Sequence, residues 1–395
     1  MKALLIKGGL IHDAVNAAPY IADILAVDGK IIKIQPDIRT EEGMTAVDAA
    51  GLSVYPGLVD AHSHIGLDGY GIGFEGKDYN EMNDIMTPHL RAIDAINPMD
   101  ETLLQAALGG VTSVATGPGS SNVLGGTFAA IKLSGLRIDN MIIKEKIAMK
   151  CAFGENPKRV YKDKNNYSRM STAAKLREML FQAMEYRDKL KFAGNDFSKK
   201  PAFNMKLEAL LPVLNREIPL KAHAHRADDI FTAIRIAKEF NVKLTLEHCT
   251  EGHLIAEELA KENIPVAVGP SLGHATKYEV RNKTFTTPGI LAKAGLSVSI
   301  ITDSPVIPQQ YLALCAGLAV KSGMEPFEAL KAITINPAKH IGIEDRVGSL
   351  AIGKDADIVL ADGEIFDSLT NVVKTFIDGK PVEAAGSSGI FSVDS

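Results

Sequence analysis

Two histidines two residues apart, His62 and His64, close an apolar run that begins at Val54. A strand turns alternate residues to one face, so both imidazoles point the same way and can share a divalent cation. Groups of the same chemistry recur downstream. His223 and His225 repeat the spacing, His248 ends the alternating set Val242, Leu244 and Leu246, and Asp303 ends an apolar run that starts at Leu296. Imidazole and carboxylate suit a borderline divalent ion. A carboxylate at a strand mouth needs a cation or a proton to justify its position, which makes Asp303 the candidate general base. Its plain alternative is a helix N-cap, because Asp303-Ser304-Pro305 also suits a helix start. As a set, these residues point to hydrolytic metal chemistry.

The run 147–155 offers two different groups. Met149, Cys151 and Phe153 alternate as an outer apolar face, which turns Ala148, Lys150 and Ala152 inward. A lysine buried in this way must be neutral, paired or modified. Glu155 competes with Lys150 as a metal ligand, since a carboxylate at the strand mouth needs no modification; for either, a structural ion pair is the alternative. Lys221, His223 and His225 share one face. His225 lies nearer the loop and is either a substrate contact or a polar rim residue, and His253 is either loop surface or a substrate contact. The glycine-rich stretch 116–126 brings backbone N–H groups to an anionic substrate or is simply a turn. Lys158 and Arg159 either clamp a substrate carboxylate or form a solvated face.

These residues need a scaffold that brings strand ends together. Residues 1–53 carry short β-rich segments with turn signals at Gly8-Gly9, Asp28-Gly29 and Glu42-Gly43. From 54 to 347 the pattern becomes strand, loop and amphipathic helix, with strands expected near 54–62, 110–116, 127–133, 147–153, 218–225, 242–249, 264–269 and 296–303. Helical spacing appears at Leu176, Leu180, Ala183 and Met184, and again at Ile230, Ala233, Ile234 and Ala237. Eight such parallel units predict a closed α/β barrel. Residues 348–385 return to strands and pair with 1–53 in one small domain, and 386–395 form a flexible tail.

Composition excludes several classes. A hydrophobic content of 46% with 6% aromatics fits an α/β enzyme, and no apolar stretch is long enough to span a membrane. Three cysteines, none in a CxxC pair, argue against a disulfide framework and for the cytoplasm. A net charge of −5 with dispersed basic residues gives no footprint for nucleic acid, so the expected partner is a small-molecule substrate.

Taken together, Pro56-Gly57-Leu58-Val59-Asp60-Ala61-His62-Ser63-His64, Ala222-His223-Ala224-His225, Leu246-Glu247-His248, Thr302-Asp303-Ser304 and the stretch from Gly348-Ser349-Leu350 to Gly353-Lys354-Asp355-Ala356-Asp357 resemble the amidohydrolase superfamily over nearly the whole chain. The branch resembled is the imidazolonepropionase-related, prolidase-like amidohydrolases. The resemblance implies a (β/α)8 TIM barrel with a small β-sandwich formed by both termini. It also implies one or two divalent ions, zinc first, with manganese, iron, cobalt or nickel as alternatives. His223 is the fifth-strand ligand it implies, and Lys150 would be carboxylated and bridge two metals. The implied activity is hydrolysis of an amide-type C–N bond in a cyclic amide, an N-acyl amino acid or a dipeptide, by metal-bound hydroxide with Asp303 as base and then acid. Deaminases of this fold add an acidic residue three positions after the fifth-strand histidine, where this chain has Arg226. Imidazolonepropionase carries acidic residues where Ala224-His225-Arg226 stands. Non-catalytic scaffolds of this fold lose ligands, and every ligand position is filled here. Relatives often self-associate, so a homo-oligomer is expected.

Overall fold

The computed structural model describes residues 3–69 and 72–383. The tail expected at 386–395 lies outside the described residues.

The central sheet has eight strands in chain order: β1 Leu58–Ser63, β2 Val111–Thr116, β3 Leu124–Lys132, β4 Ile142–Ala152, β5 Leu220–Ala224, β6 Leu244–His248, β7 Val266–Val268 and β8 Val298–Ile300. All eight lie where strands were expected. One expectation fails in direction, because β3 runs antiparallel to both β2 and β4. The reason is the length of its links. A parallel crossover needs a dozen or so residues, and neither 117–123 nor 133–141 can supply one, so the chain must turn back. The other neighbours in the sheet are parallel.

No β-ladder joins β1 to β8 among the described residues. The buried Asp60 carboxylate bridges that seam instead, accepting from the Thr302 amide at 3.1 Å, the Thr302 hydroxyl at 2.6 Å and the Gln309 amide at 2.9 Å. Burial pushes its pKa up to about 6, against the pull of those hydrogen bonds. Just above, the His64 amide donates to the Ser304 carbonyl at 2.8 Å, which ties the first and last strand mouths together.

Small residues, Ala61, Ala115, Ala130, Ala148 and Ala267, cluster with Val59, Phe128 and Ile301 in the core. Outside the sheet, Met149, Cys151 and Phe153 pack with Leu176, Leu180 and Ala183 of the helix Arg169–Ala193 and with Ile230, Ala233 and Ile234 of the helix Ala227–Glu239. This is the outward apolar face anticipated for β4, and it leaves Lys150 to point inward. Ser168 starts the longer helix through a reciprocal capping box with Ser171.

A second eight-stranded sheet draws on both ends of the chain, with Ile358–Ala361 and Val372–Ile377 joining Ser53–Pro56, Ala3–Ile11, Tyr20–Val27 and Lys30–Gln35. The strand expected over 54–62 is therefore divided: Ser53–Pro56 belongs to this sheet and Leu58–Ser63 to the barrel. Gly57 separates them, and a Cβ there would lie 2.1 Å from the Thr112 hydroxyl. Gly8-Gly9 is a β-bulge inside Ala3–Ile11 rather than a turn. Before it the strand pairs with Met44–Asp48, after it with Ser53–Pro56, and a Cβ on Gly9 would strike Val54 at 2.3 Å. Lys132 of β3 locks this sheet to the barrel through Asp355 at 2.7 Å, Asp357 at 2.9 Å and Asp378.

Candidate metal centre at the mouth of the barrel

Four imidazoles converge above the C-terminal strand ends, each fixed by one ring nitrogen. His62 Nδ1 is 3.1 Å from Glu247 Oε2, His64 Nδ1 is 2.7 Å from the Gly117 carbonyl, and His248 Nδ1 is 2.8 Å from the Gly269 carbonyl. His225 Nδ1 is 2.7 Å from the Thr250 hydroxyl. A carbonyl can only accept, so His64 and His248 carry their protons on Nδ1 and offer the Nε2 lone pair to the centre. His223 differs: it is buried and, among the described residues, neither ring nitrogen has a hydrogen-bond partner.

Two groups of ligating atoms, each within 4.8 Å, share His248: His223 with His225, and His62 with Asp303. Asp303 Oδ1 lies 3.3 Å from His64 Nε2 and 3.6 Å from His62 Nε2. Burial alone would raise the Asp303 pKa, and positive charge on the facing His248, His64 and His62 would outweigh it and lower the carboxylate; with those rings neutral, a bound cation would have to supply that charge. Burial keeps His62, His223 and His225 well below the ordinary imidazole value and lowers His248 to about 4. Burial thus favours the neutral form of His62, His223, His225 and His248, the form that ligates a cation. The backbone is positive in φ at His248 (75°) and Asp303 (53°), conformations that surrounding structure must enforce. Unpartnered buried nitrogens on His223, neutral rings and a close carboxylate are the donor set a divalent ion requires.

Of the two candidates from the β4 region, Lys150 reaches the cluster. It is fully buried, with Nζ 3.0 Å from His62 Nε2, and burial lowers its pKa to about 8. Glu155 does not: it opens the helix Glu155–Val160, its amide donates to Glu279 Oε2 at 2.7 Å, and its carboxylate accepts from the Glu279 amide at 3.4 Å. Glu155 as the competing ligand is corrected on this ground. Helix formation swings the residue off the strand axis that was extrapolated to place it.

His225 joins the ligating group as well as lining the cavity, so the choice between substrate contact and polar rim omitted the position it takes. His253 lies away from the centre, its Nδ1 3.0 Å from the Thr287 hydroxyl. Arg159 lines the cavity over the centre and Lys158 does not. In the stretch 116–126, the amides of Gly119, Ser121 and Val123 are committed to the Tyr79 carbonyl, the Asn80 side chain and the Ile85 carbonyl, which supports the plain reading as a turn.

Beneath the histidines lies a network that sequence reasoning missed. Glu247 Oε2 takes Lys221 Nζ at 2.8 Å as well as His62, and Oε1 takes His340 Nε2 at 2.9 Å and the Thr245 hydroxyl at 2.8 Å. Burial would raise the Glu247 pKa, but Lys221 and His340 hold it well below normal. Its ionised carboxylate fixes the His62 tautomer. The available signal was a glutamate inside the buried run 244–248. His340, on the helix Ile335–His340, and Glu279, 3.9 Å from His223 and 3.8 Å from His225, carried no such signal.

The cavity above the centre measures about 910 Å3 and is lined by His64, His223, His225 and Asp303, with Tyr79 and Thr250 among its walls. A second cavity, about 520 Å3, is lined by Lys144, Arg216 and Lys339 and touches none of those groups.

A barrel whose mouth gathers imidazoles, an aspartate and a buried lysine defines an α/β barrel protein with a candidate metal site. Residues 214–382 match the model of the amidohydrolase family. A solved amidohydrolase from Thermotoga maritima MSB8 is 40% identical with a TM-score of 0.93, the match covering 96% of this chain and 99% of that one. An amidohydrolase of Hapsidospora irregularis is 28% identical over 394 residues, 92% of this chain and 40% of that protein. An adenine deaminase of Latilactobacillus sakei is 22% identical over 97% of this chain and 58% of its own length. The chain thus spans about half the length of these two curated relatives. It belongs to the amidohydrolase family.

Proposed function

We propose that this protein is a metal-dependent hydrolase of an amide-type C–N bond in a cyclic amide, an N-acyl amino acid or a dipeptide, with Asp303 as general base and acid. The observation that carries the reading is the convergence of neutral imidazoles on Asp303, with His223 left unpartnered in the buried cluster. His62, His64, His223, His225, His248 and Asp303 would hold one or two divalent ions, zinc first, and Lys150 would bridge them if carboxylated. A divalent ion held there would lower the pKa of bound water to about 7 and polarise a carbonyl.

The chain's own contribution is positional. Glu247 and the Gly117 and Gly269 carbonyls orient the imidazoles, and Asp303, ionised and 3.3 Å from His64 Nε2, takes the proton of the attacking water. As the C–N bond breaks, that proton passes to the leaving nitrogen, so the carboxylate is ionised again at the end of the cycle. Three buried, unpaired cysteines suit a reducing compartment, and a cytoplasmic location is part of this proposal. No described helix is long and apolar enough to cross a membrane.

The second reading is deamination, favoured by the adenine deaminase match. The residue at the position of the deaminase acid is Arg226, which holds Asp228 at 2.7 Å, and neither side chain lines the cavity. That arrangement supports hydrolysis over deamination. The test is a panel of N-acyl amino acids, dipeptides, cyclic amides and aminopurines, assayed before and after chelation. Chelator-sensitive cleavage of an amide supports the hydrolase, ammonia from an aminopurine supports the deaminase, and chelator-insensitive turnover overturns both.

A further inference from the structure

The walls of the large cavity carry information about which amide fits, an inference that rests on the hydrolase reading. Three cations line it, Arg159, Lys277 and Lys283. Among the described residues lining it, the single carboxylate is Asp303, already engaged with His62 and His64.

The three cations differ in how far they are satisfied. Lys277 Nζ is paired with Glu279 Oε1 at 2.7 Å and donates to Asn156 Oδ1 at 3.1 Å. Lys283 is half-buried, its Nζ donates to the His274 carbonyl at 3.1 Å, and no described carboxylate pairs with it. The exposed Arg159 guanidinium makes neither a hydrogen bond nor an ion pair with another described residue. Asn156 and Arg159 stand three residues apart on the helix Glu155–Val160 and so share a face. Because Asn156 binds Lys277, that face looks toward Lys277 across the cavity. Tyr79 continues the wall from there to the centre, its ring 5.1 Å from that of His64.

We propose that the substrate is an amide bearing its own carboxylate, which seats against Arg159 and Lys283 while the scissile group meets Asp303 and the histidines. A guanidinium and a half-buried ammonium lacking carboxylate partners gain two charge-assisted hydrogen bonds from such a group. A substrate ammonium in the same cavity finds cations and, among the described residues, no uncommitted carboxylate. The favoured class is therefore an N-acyl amino acid or a carboxylated cyclic amide, with free dipeptides disfavoured.

The experiment compares holoenzyme kinetics on an N-acetyl amino acid, the same compound as its terminal amide, and the corresponding dipeptide. In parallel, calorimetry measures binding of glutarate and of 1,5-pentanediol. The acid is expected to exceed the amide in kcat/KM by roughly tenfold to a hundredfold. Arg159→Met and Lys283→Met should each shrink that ratio about tenfold, chiefly through KM, and weaken glutarate by the same factor. Equal turnover of acid and amide, or glutarate binding indifferent to both substitutions, overturns the proposal. Should no amide be cleaved while glutarate binding still depends on Arg159, the hydrolase reading falls and the anion seat stands.

Discussion

Lys150 Nζ lies 3.0 Å from His62 Nε2, inside a barrel where the lysine has no exposed surface. Burial lowers the Lys150 pKa to about 8, so a large neutral fraction exists at mildly alkaline pH. A neutral amine is the form that reacts with carbon dioxide to give the carboxylated lysine of a bridged site. Lys150→Ala should lower metal content and activity together, and added short-chain carboxylic acids should restore part of both. Full metal content in the untreated variant would remove the bridging role.

The same lysine makes stability of the metal-free protein depend on pH. Its folded value near 8 lies below the ordinary 10.5, so between those limits the unfolded chain binds more protons than the folded one. Stability therefore rises with pH across that window, and Lys221, also lowered by burial, adds in the same direction. Denaturant titrations of the metal-free protein from pH 8 to 10.5 should show that rise, with a smaller slope in Lys150→Met. An identical slope in the variant contradicts the assignment.

Glu247→Gln keeps the shape of the network but removes its charge, leaving Lys221 buried without a counter-ion. The expected loss is on the order of 3–5 kcal/mol of stability. With the His62 tautomer no longer fixed, metal affinity should fall about tenfold to a hundredfold. Metal titration and denaturation on the same sample check both effects; unchanged affinity would reduce Glu247 to a packing role.

Asp303→Asn should leave the fold and its thermal transition in place and lower turnover about a hundredfold to ten-thousandfold. Circular dichroism with steady-state kinetics tests this. Wild-type turnover in the variant would sink Asp303 as the proton carrier.

Lys132→Met should destabilise the chain by about 3 kcal/mol, because the buried Asp357 would lose its cation while Asp355 keeps Lys30 and Arg346. Equilibrium unfolding measures the loss, and metal content per folded molecule should stay constant. A parallel loss of metal would mean that the terminal sheet bears on the site.

The strand ends were legible because a histidine or aspartate that closes an apolar alternating run is conspicuous, as at His62, His223, His248 and Asp303. The direction of β3 was not, since periodicity reports a strand but not which way it runs, and only the short links 117–123 and 133–141 carry that information. Glu155 was misplaced by extending strand geometry one residue past Gly154, where the chain enters a helix with φ 82°. Glu247 was visible as an ionisable residue in a buried strand, yet its partners His62, Lys221 and His340 come from distant segments that no spacing rule connects. Lys277 and Lys283 stand in a loop after β7, and only the folded cavity shows that they line the same space as Arg159.

The central claim is that the converging histidines and Asp303 hold metal for hydrolysis. The most direct test is elemental analysis of the purified protein, with amide hydrolysis followed as the metal is stripped and returned. One or two divalent ions per chain are expected, two where Lys150 bridges, and activity should vanish on chelation and return on reconstitution. A protein that takes up no metal, or that cleaves its amide equally well without it, would contradict the account.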